Sequence, residues 1–441
     1  MFNVDVLLIC ALKDEYDQVL KVTDGLQAPS WYEHPLVSGW LVADADFTTA
    51  TGGTLRIRAT HASHMGREQV QAVASKLIHE QAARCIAMSG ICAGRRGKVS
   101  LGDVIFAERL WSYDAGKLTT ENGKQKFQGD PIQYNPSTVW VQRMQHVAIP
   151  PPNTSWLSTR PTLPLEHQEN WVMLRVLAGE EPNRHADFNA ACPNWSEVLP
   201  RLWERGWLEN PLTLTTKGRQ YVEELALLHL GKLPALPDFK IHVAPVATGA
   251  AVSEDESIFP SLADSMRKVL GIEMEASALG ALGEVHEIPV VVAKGVSDYG
   301  DSFKDDRYRE FAARAAAECL MTFLREAADL LPQQNMPTAL ASAKPSSPSA
   351  INNIPTDLIA VLADEYPDVQ HARALWQRAG GKASDVENIA RPRDLWQRLW
   401  QRSVQGASAR PEMLLQAALE DLPDNAVLRQ YLSLLDESKT T

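Results

Sequence analysis

Short apolar runs alternate with amphipathic stretches over the first part of the chain. Val4–Cys10 is a short apolar run typical of a buried strand, and Leu12–Val22 follows with helical spacing and acidic residues in its first turn. Glu68–His79 reads as a helix feeding the apolar run Cys85–Met88, which stops at a glycine-rich turn over Ser89–Gly94. Val104–Ala107 is a further strand. From Ile241 the pattern resumes with strand His242–Val246, a helix over Glu275–Glu284, strand Pro289–Ala293 and a long helix from about Asp306 to Leu331. Continuous apolar strands separated by helices predict a sheet covered on both faces, an α/β fold.

Between these halves the texture changes. Trp171–Leu177, Trp195–Arg205 and Leu214–Leu225 have helical character, with a glycine turn and a short strand pair around Asn210-Pro211. This order resembles a winged helix. Its recognition-helix region, Asn194–Arg205, sets Glu197 and Glu204 against Arg201 and Arg205, so it offers phosphates no basic excess. A structural or partner-binding insertion is the expectation, and nucleic acid is not. Leu331–Asn353 is rich in Pro, Ser and Ala without periodicity, the texture of a flexible linker. Beyond it, stripes at i, i+3, i+4 such as Ala372/Leu375/Trp376 and Leu395/Trp396/Leu399/Trp400 predict an all-α bundle of about four or five short helices with its tryptophans in the core. The division expected is an α/β domain over 1–149 and 236–331, an insertion over 150–235, a linker over 332–353 and a helical domain over 354–441.

Composition narrows the function classes. The 441 residues exceed one ordinary core, and 45% hydrophobic with 22% charged residues is normal for globular protein. A net charge of -12 gives no global attraction to nucleic acid or anionic membrane. Five scattered cysteines without a CxxC pair fit a reducing cytoplasm and argue against disulfides or a zinc site; no metal or other cofactor is called for. The opening MFNVDVLLIC has no basic leader, and no uncharged apolar stretch approaches about twenty residues, so neither a signal peptide nor a membrane span is expected.

Three segments carry the chemistry: "LLICALKDEYDQVL", "AMSGICAGRRGKVSLGDVIFAERLWSYDAG" and "GIEMEASALGALGEVHEIPVVVAKGVSDYGDS". In this order they resemble the nucleoside phosphorylase / methylthioadenosine–adenosylhomocysteine nucleosidase superfamily, over roughly Met1–Lys126 and Phe239–Leu331. The resemblance implies a nucleoside-phosphorylase-like mixed sheet flanked by helices, and cleavage of a purine N-glycosidic bond. Such cleavage passes through an oxocarbenium-like sugar and needs an acid for the leaving base and a nucleophile on the opposite face. Asp298 follows the apolar strand Pro289–Ala293, which is expected to exclude water and favour the protonated form that an acid needs. The resemblance makes Asp298 the general acid, Glu15 the water-activating glutamate, Glu275 the holder of the ribose hydroxyls and Met274 the apolar contact on the sugar face. Gly90, Ile91, Val252 and Ser297 complete the substrate contacts it implies. Singly, Glu15 reads as a helix N-terminal carboxylate, Asp298 as a loop cap and Glu275 as a solvated helix residue; jointly, at family positions, they read as a site.

Ile91 stands where the family usually carries a serine that, in its phosphorylases, helps to hold orthophosphate. An apolar side chain donates nothing to phosphate, which favours water as acceptor. Arg95 and Arg96 lie just beyond, though paired arginines in an exposed loop are usually solvated. The 5′ end of the substrate falls to the loop Asp301–Tyr308, where Lys304 and Arg307 are candidates for 5′-phosphates, and to a neighbouring subunit's loop Lys117–Lys126, which offers Lys124 and Lys126. That last contribution implies a dimer or higher oligomer. A thioether substrate would instead want apolar residues, of which Leu12 and Phe303 stand out. The balance leans to a phosphorylated adenine nucleotide, ATP included.

The C-terminal segments "LADEYPDVQHARALWQRAGG", "LWQRLWQRS" and "AALEDLPDNAVL" resemble effector-associated adaptor domains of bacterial conflict systems. That resemblance implies docking onto a sensor protein with a matching domain. The leading expectation is a nucleosidase effector of antiphage defence. A metabolic phosphorylase or nucleosidase with an accessory domain, and a catalytically silent nucleotide-sensing regulator, are the alternatives.

Overall fold

In the computed structural model, residues 4–121, 124–130, 132–147, 154–228, 236–250, 257–332, 356–386, 389, 391–404 and 407–437 are described. The chain divides into two compact units, Met1–Asn335 and Met336–Thr441. Among the described residues of the first are strands β1 (Val6–Cys10), β2 (Tyr32–Pro35), β3 (Leu41–Thr48), β4 (Thr54–His61), β5 (Cys85–Gly94), β6 (Val104–Ser112), β7 (Gly116–Glu121), β8 (Lys124–Gly129), β9 (Ile132–Tyr134), β10 (Leu208–Glu209), β11 (Thr213–Leu214), β12 (Ile241–Thr248), β13 (Gly271–Glu273) and β14 (Val290–Asp298). Its helices are α1 (Lys13–Leu20), α2 (Arg67–Glu80), α3 (Thr138–Met144), α4 (Leu165–Leu177), α5 (Phe188–Ala191), α6 (Trp195–Glu204), α7 (Thr216–Leu228), α8 (Ile258–Ser265), α9 (Ala276–His286) and α10 (Arg307–Glu326).

The main sheet is mixed, in the order β13-β12-β6-β14-β5-β1-β4-β3-β2, with β9 on β6. β1 lies parallel between β4 and β5, and β14 pairs parallel with β5 but antiparallel with β6. β13 pairs with β12 on one side and turns back antiparallel onto β5 on the other, so this end of the sheet curls towards closure. One face packs against α1 and α10 through Tyr16, Val19, Leu320 and Phe323; the other packs against α2 and α9 through Val70, Leu77, Leu279 and Leu282. β1 is buried along its whole length, and β5, β6 and β14 nearly so, because both faces are covered there.

Two expectations need correction. The segment Ser89–Gly94 is no turn: β5 runs straight through it to Gly94. Glycine is there for close approach, since a Cβ on Gly94 would lie 2.5 Å from side-chain carbons of both Val296 and Val99. β14 likewise continues past Ala293 to Asp298. Both strands therefore reach further towards one edge of the sheet than their apolar runs suggest, and that edge carries the pocket.

Between β9 and β12, α4, α6, the antiparallel pair β10–β11 and α7 enclose their own apolar cluster, which includes Val172, Met173, Leu202, Trp207 and Val222. The second unit has five α-helices among its described residues: α11 (Thr356–Glu365), α12 (Val369–Arg378), α13 (Pro392–Val404), α14 (Pro411–Asp421) and α15 (Ala426–Glu437). Trp376 and Trp396 are fully buried and Trp400 nearly so. The helical stripes thus point inward, as their spacing predicts. Asp368 caps α12 by accepting from the N–H groups of Gln370 and His371. No described helix is long and apolar enough to cross a membrane.

Candidate active site

The C-terminal ends of β1, β5 and β14, with β13 and the start of α9, surround a pocket lined by Leu12, Glu15, Met65, Ile91, Ile258, Ile272, Met274, Glu275, Ser297, Asp298, Lys304 and Arg309, among others. Glu15, Glu275 and Asp298 are far apart in sequence, and this sheet edge brings them together.

Glu15 enters from the first turn of α1 and is 3% exposed. One carboxylate oxygen accepts from the backbone N–H of Ala11 at 3.0 Å and Leu12 at 3.1 Å, and the other from Ile91 N–H at 2.9 Å. Glu15 thus binds the backbone at the start of its own helix and, at the same time, lines the pocket. Burial pushes its pKa up, and a nearby ammonium and the backbone donors oppose that. Gly90 makes the approach feasible: a Cβ there would stand 2.7 Å from Glu15 Oε1 and 3.1 Å from Lys294 Nζ.

Glu275 is the N-cap of α9 and accepts from Gly66 N–H at 3.0 Å. Its neighbour in the motif, Glu273, faces inward and accepts from Thr248 Oγ1 at 2.5 Å and from the N–H groups of Glu275 and Ala276. Lys294 lies beneath both. It is fully buried, with Nζ 3.1 Å from Glu273 Oε2 and 3.8 Å from Glu275 Oε2. Burial alone would lower its pKa, yet the three carboxylates Glu273, Glu275 and Glu15 outweigh burial and raise it, so the ammonium stays charged. Sequence reading passed Lys294 over. A charge in the middle of the apolar run VVVAKGV was the available signal.

Asp298 ends β14 and is half-buried. It accepts from Ser297 Oγ at 2.7 Å and from Gly300 N–H at 2.8 Å. The exclusion of water expected there falls instead on Lys294, four residues upstream. Ser297 Oγ also reaches Cys92 O at 3.3 Å.

The cationic candidates divide. Lys304 lines the pocket. Arg307 does not: its guanidinium is held by Asp305 at 2.6 Å, Asn194 Oδ1 at 2.8 Å and Leu163 O at 3.0 Å. Arg96 pairs with Glu166 at 2.8 Å and Asp301 at 2.6 Å, and Arg95 donates to Arg267 O at 2.8 Å. Lys124 and Lys126 belong to strand β8, but their side chains lie outside the described residues, and so does Val252. Phe303 packs into the cluster of Trp207 and Tyr221 rather than into the pocket. Met65, Ile258 and Ile272 supply apolar lining in its place, and Arg309, bonded to Asp14 at 2.6 Å, adds a cation that sequence reading missed.

Burial, Glu273 and Glu15 push Glu275 up to about 7 against the opposing Lys294. Its folded pKa lies above that of the unfolded chain, so its share of stability is full below about 4.5 and is lost as pH rises through about 7. Unfolding measurements between these limits should show wild type losing stability relative to Glu275→Gln as pH rises. Parallel curves would contradict this burial of Glu275.

A mixed, partly curled sheet with a carboxylate-lined pocket at its strand ends defines the first unit. The second is defined by a match to a family model: residues 354–435 match effector-associated domain 1. Among curated proteins, y4jS of Sinorhizobium fredii is 27% identical over 257 residues, 57% of this chain and 45% of that protein. The ATP nucleosidase Cap17 of Escherichia coli is 30% identical over 82 residues, 19% of this chain and 16% of that protein. The chain thus spans less than half the length of the curated relatives it matches. Among solved structures, a 5′-methylthioadenosine/S-adenosylhomocysteine nucleosidase of Borrelia burgdorferi bound to adenine superposes with TM-score 0.42 at 12% identity, covering 73% of this chain and 99% of that one. The corresponding nucleosidase of Streptococcus pneumoniae gives 0.43 at 13% identity, with the same coverage.

Proposed function

We propose that this protein hydrolyses the N-glycosidic bond of an adenine nucleoside or nucleotide, with ATP the leading candidate, and that its helical C-terminal segment joins it to a partner in a bacterial conflict system. One observation carries the reading: Glu15, Glu275 and Asp298, from distant parts of the sequence, line a single largely apolar pocket, and a buried lysine is shared by Glu15 and Glu275. In this arrangement Asp298 protonates the departing purine, with Ser297 and Gly300 fixing its orientation. Glu15 takes a proton from the attacking water, and the backbone donors hold its carboxylate in place for that task. Glu275 accepts from the ribose hydroxyls, a contact that tightens as positive charge grows on the sugar, and Met274 packs on the sugar face. Lys294 offsets the negative charge of Glu273, Glu275 and Glu15.

Water is the acceptor in this reading. Ile91 has no side-chain donor for orthophosphate, and its backbone N–H is already bound to Glu15. Lys304 at the pocket favours an anionic 5′ group, and the similarity to a protein named as an ATP nucleosidase points the same way. The match to effector-associated domain 1 supports the partner, a sensor carrying a like domain, and a role in antiphage defence. A neighbouring subunit that supplies the strand pair β7–β8 would make the active form at least a dimer.

Incubation with ATP, adenosine and methylthioadenosine in phosphate-free buffer should release free adenine from at least one of them. Turnover that strictly requires orthophosphate and yields ribose 1-phosphate would rule out the hydrolytic reading.

A further inference from the structure

The loop after Asp298 is held residue by residue from outside the α/β sheet. Asp301 binds Arg96, which also binds Glu166 of α4. Ser302 O accepts from Arg205 Nη2 at 2.7 Å, and Lys304 O from Arg201 Nη2 at 3.0 Å. The Phe303 ring lies under the Arg205 guanidinium, 4.5 Å from its centre, and against Trp207. Asp305 accepts from Leu165 N–H at 2.9 Å.

Behind the two arginines is Glu169 of α4, with no exposed surface. Its Oε1 accepts from Arg201 Nε at 2.5 Å, and its Oε2 lies 3.6 Å from Arg205 Nε. A buried ion group of this kind adds little to stability that packed apolar residues would not supply. What it does provide is direction. With their Nε edges turned to Glu169, both guanidiniums aim their far nitrogens at the loop carbonyls. These arginines are the cations of the recognition-helix region, and they are engaged inside the molecule.

We propose that Glu169, Arg201 and Arg205 are positioning residues: through the carbonyls of Ser302 and Lys304 they fix the loop that places Lys304 at the pocket, and so set the preference for a nucleoside bearing an anionic 5′ group. This rests on the nucleosidase reading above. A lysine on a loose loop would lose much of its attraction for phosphate to the ordering of that loop on binding. The clamp removes that cost before substrate arrives. It also makes the segment from α4 to α7 part of the site's specificity, without touching substrate.

The test uses the full chain with Glu169→Gln, and with Arg201→Lys, which keeps the charge beside Glu169 but cannot also reach Lys304 O. Cleavage of ATP and of adenosine is measured, together with hydrogen exchange of peptides covering residues 299–306. The expected result is faster exchange of this loop, a rise of about tenfold in KM for ATP with kcat nearly kept, and a several-fold smaller change on adenosine. Adding Lys304→Ala to either variant should worsen ATP cleavage by less than the product of the separate effects. Equal losses on ATP and adenosine, or unchanged loop exchange in both variants, would overturn the proposal. If wild type releases base from neither of these nor from methylthioadenosine, the nucleosidase reading falls by itself; loop exchange in the two variants then decides the clamp alone.

Discussion

Asp298→Asn is expected to slow base release by about a hundred- to ten-thousand-fold, the usual worth of a general acid, with substrate affinity nearly unchanged. The amide fits the same space and keeps one of the two bonds, since Ser297 Oγ and Gly300 N–H donate to different oxygens of Asp298 and only one oxygen remains. It has no acidic proton to give to the purine, so the loss belongs to the transition state. Kinetically, kcat and kcat/KM should fall together. Glu275→Gln should behave differently, because a charged acceptor for the sugar hydroxyls becomes neutral and binding weakens along with rate. Single-turnover cleavage beside calorimetric binding separates the two patterns. Wild-type cleavage by Asp298→Asn would remove Asp298 from the role of acid. The assignment of roles at this site would then fail with it.

The second large effect is on stability. Lys294→Met keeps roughly the shape of the side chain but removes the ammonium that Glu273, Glu275 and Glu15 share. Taking away one partner of a buried ion group typically costs about 3–5 kcal/mol, because the remaining charges stay buried without compensation. The cost should be greatest near pH 8. It should shrink towards pH 5, since burial already raises the pKa values of Glu15 and Glu275, and a proton on either relieves the uncompensated charge. Urea unfolding of both proteins at the two pH values measures the difference. A penalty under about 1 kcal/mol at pH 8 would mean that Lys294 is not the counter-ion of this group.

Some elements were legible because one physical signal dominated them. β1, α2, α9 and α10 follow apolar runs or helical stripes, and the helices α11 to α15 follow theirs, since burial of one face fixes such patterns. β3 and β4 escaped notice although Leu55, Ile57 and Ala59 alternate with Arg56, Arg58 and Thr60. Arg58 in that row is itself buried, bonded to Asp44 at 2.7 Å, so the polar half of the alternation does not mark a solvated face. The glycine-rich stretch misled for a related reason. Glycine serves turns and close approaches alike, and only the neighbours across space, Glu15 and Lys294 at Gly90, tell which it is.

By itself the sequence determined the α/β class, the helical nature of the segment beyond residue 354, and Glu15, Glu275 and Asp298 as the residues to watch. Each is a local property: an apolar run, a stripe at helical spacing, or a short motif that travels intact. The tertiary structure alone decided what those carboxylates share and what stands around them. Lys294 reaches Glu273 and Glu275 only because β14 lies beside β5 and β13 curls back onto it. Arg307 and Phe303 left the candidate site because partners distant along the chain, Asn194 and Leu163 for Arg307 and Tyr221 with Trp207 for Phe303, hold them elsewhere. A buried charge goes where it can be paired, and a ring where it can be packed. Asp305 beside Arg307 was visible in the chain, but the distant partners that complete its setting, and the rings that hold Phe303, were not.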